Sequence, residues 1–221
     1  MQFTRRRFIG AAVAATAGLS TASCVVAPPR RTSPRPVTGY MPPAVVPVAT
    51  ADQPLLLQEA LAALDAHADK LPHRDRIGLV DFSRPSSEPR FHLVHLENGR
   101  IERSWLVAHG SGSDPIHSGM LHYFSNQPGS NATSRGAYRT ADPYLGKYGR
   151  SQRLVGLDRD NDMALERAIV LHGAPYVDPS FITTQGRIGR SQGCFAFELG
   201  EVATVMELLG QGRMIYAAKP A

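Results

Sequence analysis

The chain has 221 residues, 43% of them hydrophobic and 19% charged, which gives room for one domain with a sizeable core plus a tail and rules out disorder throughout. Outside the first 30 positions no apolar run reaches the about 20 residues that a spanning helix needs, so a polytopic membrane protein is excluded. The net charge of +5 belongs to the N-terminus: residues 1–51 hold Arg5, Arg6, Arg7, Arg30, Arg31 and Arg35 and no acid, and taking those six away leaves −1, so no domain-wide basic footprint for nucleic acid remains.

Thr4-Arg5-Arg6-Arg7-Phe8-Ile9 is followed by Gly10 to Ser23, an uncharged stretch rich in Ala and Gly. A basic start, a short apolar centre and small residues near a cut site predict an export signal over 1–27. The stretch is too short and too weakly apolar for an anchoring helix. The paired arginines before Phe8-Ile9 resemble the twin-arginine export signal. Thr21-Ala22-Ser23-Cys24 leaves two readings open: a lipobox-like site that lipidates Cys24, with Thr21 where such sites usually carry Leu, or ordinary cleavage nearby. In either case Cys194 is alone in the mature protein and cannot form an intramolecular disulfide. A lone thiol in an oxidising compartment is a liability unless it is buried or used.

Residues 28–51 carry Pro28, Pro29, Pro34, Pro36, Pro42, Pro43 and Pro47 and few core formers, which predicts an extended spacer. The folded domain is expected over 52–221. Leu56, Ala60, Leu61, Leu64 and Leu71 recur with helical spacing, and Pro72 ends that run. Short β-like runs follow at Ile77 to Phe82, Phe91 to Leu96 and Ile101 to Ala108, with Asn98-Gly99 as a hairpin signal. Residues 109–160 are rich in Gly, Ser, Asn, Pro and Tyr and predict long loops with short strands. A helical turn or two at Met163 to Arg167 leads into a strand at Ala168 to Leu171. Glu198 to Leu209 reads as a helix, and Met214 to Ala218 as a closing strand. The expected class is mainly β (α+β), a β-rich domain with a few helices.

The chemistry concentrates in Ile169-Val170-Leu171-His172-Gly173-Ala174 and Gly186-Arg187-Ile188-Gly189-Arg190-Ser191-Gln192-Gly193-Cys194. A thiol needs a nearby base to supply thiolate near neutral pH, and a His at the end of a rigid strand can be held at that distance. Gly193 before the thiol allows a tight turn and close substrate approach, and backbone N–H groups around Cys194 can face an oxyanion. Spacing by itself leaves a buried structural cysteine as the alternative.

The His-Gly strand end and the later Ser-x-Gly-Cys resemble the YkuD-type L,D-transpeptidase catalytic domain, and its murein L,D-transpeptidase branch in particular. Asp81-Phe82-Ser83-Arg84-Pro85-Ser86-Ser87 with Arg90, then Val107-Ala108-His109-Gly110, are similar to the opening of that branch. Phe124-Ser125-Asn126, Pro128-Gly129-Ser130 and Ser134-Arg135-Gly136-Ala137-Tyr138 follow its middle, as do Tyr144-Leu145-Gly146-Lys147-Tyr148-Gly149 and Leu154-Val155-Gly156-Leu157. The resemblance runs over about residues 76 to 200. It implies a β-sandwich fold, with Cys194 as nucleophile, His172 as base and the Gly173 carbonyl as the group that orients the imidazole. It implies attack on an L–D peptide bond of a peptidoglycan stem, a thioester, and transfer to the amine of meso-diaminopimelate on a second stem, giving 3→3 or 1→3 crosslinks.

Two departures stand out. The usual Ser-His-Gly-Cys reads Ser191-Gln192-Gly193-Cys194 here. The polar stretch with an Arg that usually follows the Cys is Phe195-Ala196-Phe197, so Arg187 and Arg190 become the groups available to grip a stem carboxylate. Substrate contacts are expected from Arg190, Ser191, Gln192, Gly193, His109 and Tyr138. His109 could equally hydrogen-bond a loop, and Tyr138, Tyr144 and Tyr148 could equally pack the loops together. His92 and His95 fall on opposite faces of a strand, and no metalloprotease spacing accompanies them or His117 and His122, so neither metal nor cofactor is expected. The same Cys194 and His172 with water as acceptor would make an L,D-carboxypeptidase or endopeptidase, and a wall-binding module would need no thiol. The expected partners are donor and acceptor stem peptides and no nucleic acid. The expected place is the periplasm or cell envelope, with Cys24 as the only route to a lipid anchor.

Overall fold

The computed structural model describes residues 53–220, so the export-signal, spacer and Cys24 expectations lie outside the described residues. In chain order the elements are α1 (Gln53–Ala66), β1 (Arg76–Asp81), β2 (Phe91–His95), β3 (Arg100–Trp105), β4 (Gly136–Gly146), β5 (Gly149–Gly156), β6 (Val170–Gly173), α2 (Pro179–Gln185), β7 (Phe195–Phe197), α3 (Val202–Leu209) and β8 (Met214–Ala218). The eight strands form one mixed sheet in the order β3-β2-β1-β8-β4-β5-β6-β7. β1 runs parallel to β8 and β6 to β7, and the other pairs are antiparallel.

The sheet curls until its two ends meet. Ala108, just past β3, bridges Ala196 in β7, and the rings of Phe91 and Phe197 come within 5.0 Å, centroid to centroid. This gives two facing layers, in agreement with the expected mainly-β class. Strand periodicity then divides the apolar residues between two cores. Val80, Phe91, Leu93, Tyr138, Leu171, Phe195, Phe197 and Ile215 point inward, where α3 adds Val202, Val205, Met206 and Leu209. Ile77, Leu79, Val94, Ala137, Met214 and Tyr216 point outward and are covered by Leu56, Ala60 and Leu64 of α1. The i, i+4, i+8 spacing of those three residues is what makes α1 a cover for the sheet.

Three regions differ from expectation. The first helix stops at Ala66, and a 3₁₀ turn over Ala68–Lys70 delivers the buried Leu71. The 109–160 region holds the two longest strands, β4 and β5, of 11 and 8 residues. Their Pro, Gly and Ser content hid them, because the outer half of this hairpin is held by ladder pairing rather than by burial of an apolar face. Finally, α2 escaped notice, although Asp178 accepts the Ser180 N–H at 2.7 Å as an N-cap, Pro179 follows, and Gly186 closes the helix at φ 71°.

Candidate active site

β6 carries His172 one residue before its end at Gly173, and the parallel pairing of β6 with β7 places Leu171 beside Phe195 and His172 beside Ala196, so Cys194 stands just before β7, at the start of the strand pair. His172 and Cys194 line one cavity of about 450 Å³. His172 Nδ1 lies 3.0 Å from the Gly173 carbonyl oxygen. A carbonyl only accepts, so Nδ1 carries the proton and Nε2 keeps its lone pair. Burial pulls the imidazole below its ordinary range, and the Gly173 carbonyl offsets part of that. Burial also pushes the Cys194 thiol up, against the Val170 backbone amide and the Arg167 guanidinium, which both favour thiolate. The resting pair is therefore neutral thiol and neutral base. The sulfur donates to the Ala168 carbonyl at 3.5 Å.

The turn before the thiol is fixed by its own side chains. Ser191 Oγ donates to the Cys194 carbonyl at 2.7 Å and accepts from the Gly193 N–H at 3.1 Å. Thr133 Oγ1 donates to the Gly193 carbonyl at 3.2 Å and accepts from the Gly110 N–H at 2.9 Å. Gly193 sits at φ 109°, and a Cβ there would lie 2.8 Å from the Ala132 oxygen and from Ile169 Cδ1. Conformation and space both demand glycine at this position.

The structure brings together Cys194, His172 and Gln192 on the cavity wall, with the Gly173 carbonyl behind the imidazole. Ser191 and Gly193 shape the turn. Arg190 turns aside to donate to the Asp114 carbonyl, and Arg187 donates to the Gln185 carbonyl at 2.9 Å. Tyr138 does not reach the cavity: it is fully buried, donates to the Ser134 carbonyl at 2.8 Å and packs edge-on against Phe195. His109 is buried too, with Nδ1 accepting from the fully buried Arg90 at 2.7 Å and Nε2 3.5 Å from Asp114. Burial and the Arg90 charge hold the His109 pKa down at about 3, so it is a neutral brace of the 109–114 loop. Both are packing residues: β4 turns the Tyr138 side chain inward, and the loop after β3 buries His109 beneath it.

The tyrosines that do line the cavity are Tyr144 and Tyr148, on the β4–β5 hairpin. Tyr148 stacks on His172 with centroids 4.9 Å apart and planes at 25°. Lys147, Glu166 and Arg167 also line it and were missed. Lys147 stands in the hairpin turn Gly146-Lys147-Tyr148-Gly149, where the two glycines were a usable signal. Nothing local marks Glu166 or Arg167. Among the described residues no group of three or more His, Cys, Asp or Glu is arranged to hold a metal.

The family model of the L,D-transpeptidase catalytic domain matches residues 50–218. Among solved structures, the chain is similar to an L,D-transpeptidase from Mycobacterium smegmatis (13% identity, TM-score 0.40, covering 65% of this chain and 58% of that one). It is also similar to one from Xylanimonas cellulosilytica (16%, 0.39, 72% and 68%). A third is the helical cell shape determining protein Pgp2, K307A mutant, from Campylobacter jejuni (15%, 0.44, 72% and 53%). The chain thus spans less than two thirds of the length of two of these three. No curated protein matches it. With the family model running from before α1 to the end of β8, the chain belongs to the L,D-transpeptidase catalytic domain family.

Proposed function

We propose that this protein is a peptidoglycan L,D-transpeptidase with Cys194 as nucleophile and His172 as general base. The observation that carries the reading is the Nδ1–H to Gly173 carbonyl bond, which leaves Nε2 as a free base in the cavity that holds the thiol. As the sulfur attacks the carbonyl of an L residue, Nε2 takes the thiol proton. It returns that proton to the departing D-residue amine, and a thioester remains. The amine of meso-diaminopimelate on a second stem attacks the thioester and gives its proton to Nε2. The C–S bond then breaks and the thiol is restored. Gln192 on the cavity wall and the backbone N–H groups of Gln192 and Cys194 are the substrate contacts in this reading, since the Ser191 and Gly193 N–H groups already donate to the His109 carbonyl and to Ser191 Oγ.

The expected product is the 3→3 crosslink; a 1→3 product would place the attacked bond after the first L residue of the stem. The proposed place is the cell envelope, reached through the export signal of 1–27. The Pro-rich 28–51 would serve as spacer, and lipidation of Cys24 would tether the enzyme. Mass-resolved muropeptide analysis of sacculi incubated with wild type and Cys194→Ala tests the reading. New dimers from the wild type alone support it, and their fragmentation assigns 3→3 or 1→3. Shortened monomers without dimers would replace transfer by hydrolysis, and dimers that persist with Cys194→Ala would remove the thiol from the mechanism.

A further inference from the structure

A short helical turn precedes β6. Its last hydrogen bonds, Ile169 N–H to Ala164 O at 2.8 Å and Ala168 N–H to Leu165 O at 3.1 Å, are those of a Schellman cap, with Ala168 at φ 53° where glycine is usual. This cap sets two groups against the thiol: the Ala168 carbonyl, which accepts from Sγ, and the half-buried side chain of Arg167.

Arg167 does two things at once. Its guanidinium donates to the Ser125 carbonyl at 2.8 Å, to Ser134 Oγ at 2.7 Å, to Ser130 Oγ at 3.2 Å and to the Ala132 carbonyl. These clamp the 125–134 loop, the same loop whose Thr133 hydroxyl holds Gly193 and whose Ala132 oxygen packs over it. All four acceptors are neutral, and among the described residues no carboxylate forms an ion pair with Arg167. Its charge is therefore uncompensated, and it lies in the wall of the cavity that contains Cys194.

We propose that Arg167 is the positioning residue of the nucleophile: it clamps the 125–134 loop beneath the catalytic turn and sets an uncompensated positive charge beside the sulfur, stabilising the thiolate during attack. The inference rests on Cys194 being the nucleophile. The other titratable groups that face the sulfur differ in kind. His172 comes from β6 with a neutral ring, and Tyr144 and Tyr148 come from the hairpin. Lys147 and Glu166 are exposed, so water and salt screen them. Tyr176, after β6, is neutral, because burial and the nearby sulfur both raise its pKa. Arg167 is the cation that the cavity wall shelters. Consistent with this, its charge opposes the burial that raises the thiol, and the sulfur in turn favours the charged guanidinium.

The test is the pH dependence of iodoacetamide alkylation of Cys194, followed by mass mapping of its peptide in the full chain with Cys24→Ser, for wild type, Arg167→Gln, Arg167→Lys and Ser130→Ala/Ser134→Ala. Arg167→Gln is expected to raise the alkylation midpoint by about one pH unit, slowing labelling about tenfold at neutral pH. Arg167→Lys keeps the charge and is expected to stay near the wild-type midpoint while its thermal midpoint falls. The double serine variant removes two clamp acceptors and leaves the cation. It is expected to lose stability without moving the alkylation midpoint, and it decides the matter if Arg167→Gln does not fold. A folded Arg167→Gln with the wild-type midpoint overturns the proposal, as does a serine variant whose midpoint rises. Alkylation needs no peptide substrate, so these outcomes stand apart from the muropeptide result with Cys194→Ala, which tests the transpeptidase reading itself.

Discussion

His172 and Cys194 are displaced in opposite directions by the same cause: burial disfavours imidazolium and thiolate alike. In the proposed mechanism the form that reacts is neutral base with neutral thiol, and it exists between the lowered His172 pKa and the raised Cys194 pKa. Activity is expected to hold level through neutrality and to fall on the acid side with a midpoint below 6.5, the ordinary histidine value. A pH–kcat/KM profile checks this, and an acid midpoint at or above 6.5 would contradict a buried His172 base. Gly193 carries a second expectation at the same scale. Alanine there meets the Ala132 oxygen and Ile169 Cδ1 at 2.8 Å in a backbone region that L residues avoid. The turn must shift, and displacing a nucleophile by about 1 Å costs on the order of 100-fold. Gly193→Ala is expected to lose at least that much crosslinking activity while circular dichroism shows the sheet intact.

At the scale of elements, the β4–β5 hairpin gives the cavity a wall that is exposed on its outer side. Its outer half is exposed and held by ladder pairing, and it ends in Lys147 and Tyr148. The Tyr148 ring on His172 keeps water from one imidazole face. Such a stack is worth about 1 kcal/mol, roughly fivefold in rate. Tyr148→Ala is therefore expected to lower kcat roughly fivefold and to move the acid midpoint of activity upward toward 6.5, with Tyr148→Phe close to wild type. If Tyr148→Ala reduced the rate with no movement of that midpoint, the ring would be acting on the substrate and not on the base.

For the whole molecule, the buried histidines decide behaviour in acid. Burial brings His92 from 6.5 down to about 4 and His109 from 6.5 down to about 3. The unfolded chain takes up those protons below 6.5 and the folded chain does not. Their stabilisation is thus complete above 6.5 and is lost as the pH falls toward 4 and 3. Each histidine contributes a slope of roughly 1.4 kcal/mol per pH unit in that window. Urea midpoints at pH 7, 6 and 5 should fall accordingly, and His92→Gln should flatten the slope. Equal midpoints at pH 7 and 5 would mean that these histidines titrate freely in the folded state.

Some of this was legible in the sequence and some was not, for a physical reason. Hydrophobic period alone determines β1, β2, α3 and β8 to within a few residues, because each buries a face whose pattern is local. The His-Gly strand end and the Gly-Cys turn mark the proposed chemistry, and the two residues they single out, His172 and Cys194, line one cavity. The long hairpin is not visible, since its pairing partner rather than its own residues makes it a strand. The same holds for which polar residues face the cavity. Tyr138 and His109 carry the right chemistry and point into the core, while Arg167, unremarkable in sequence, is brought against Cys194 by the cap at Ala168. Direction of a side chain is set by the register and curl of the sheet, which connect residues far apart in the chain, and only the tertiary structure decides it.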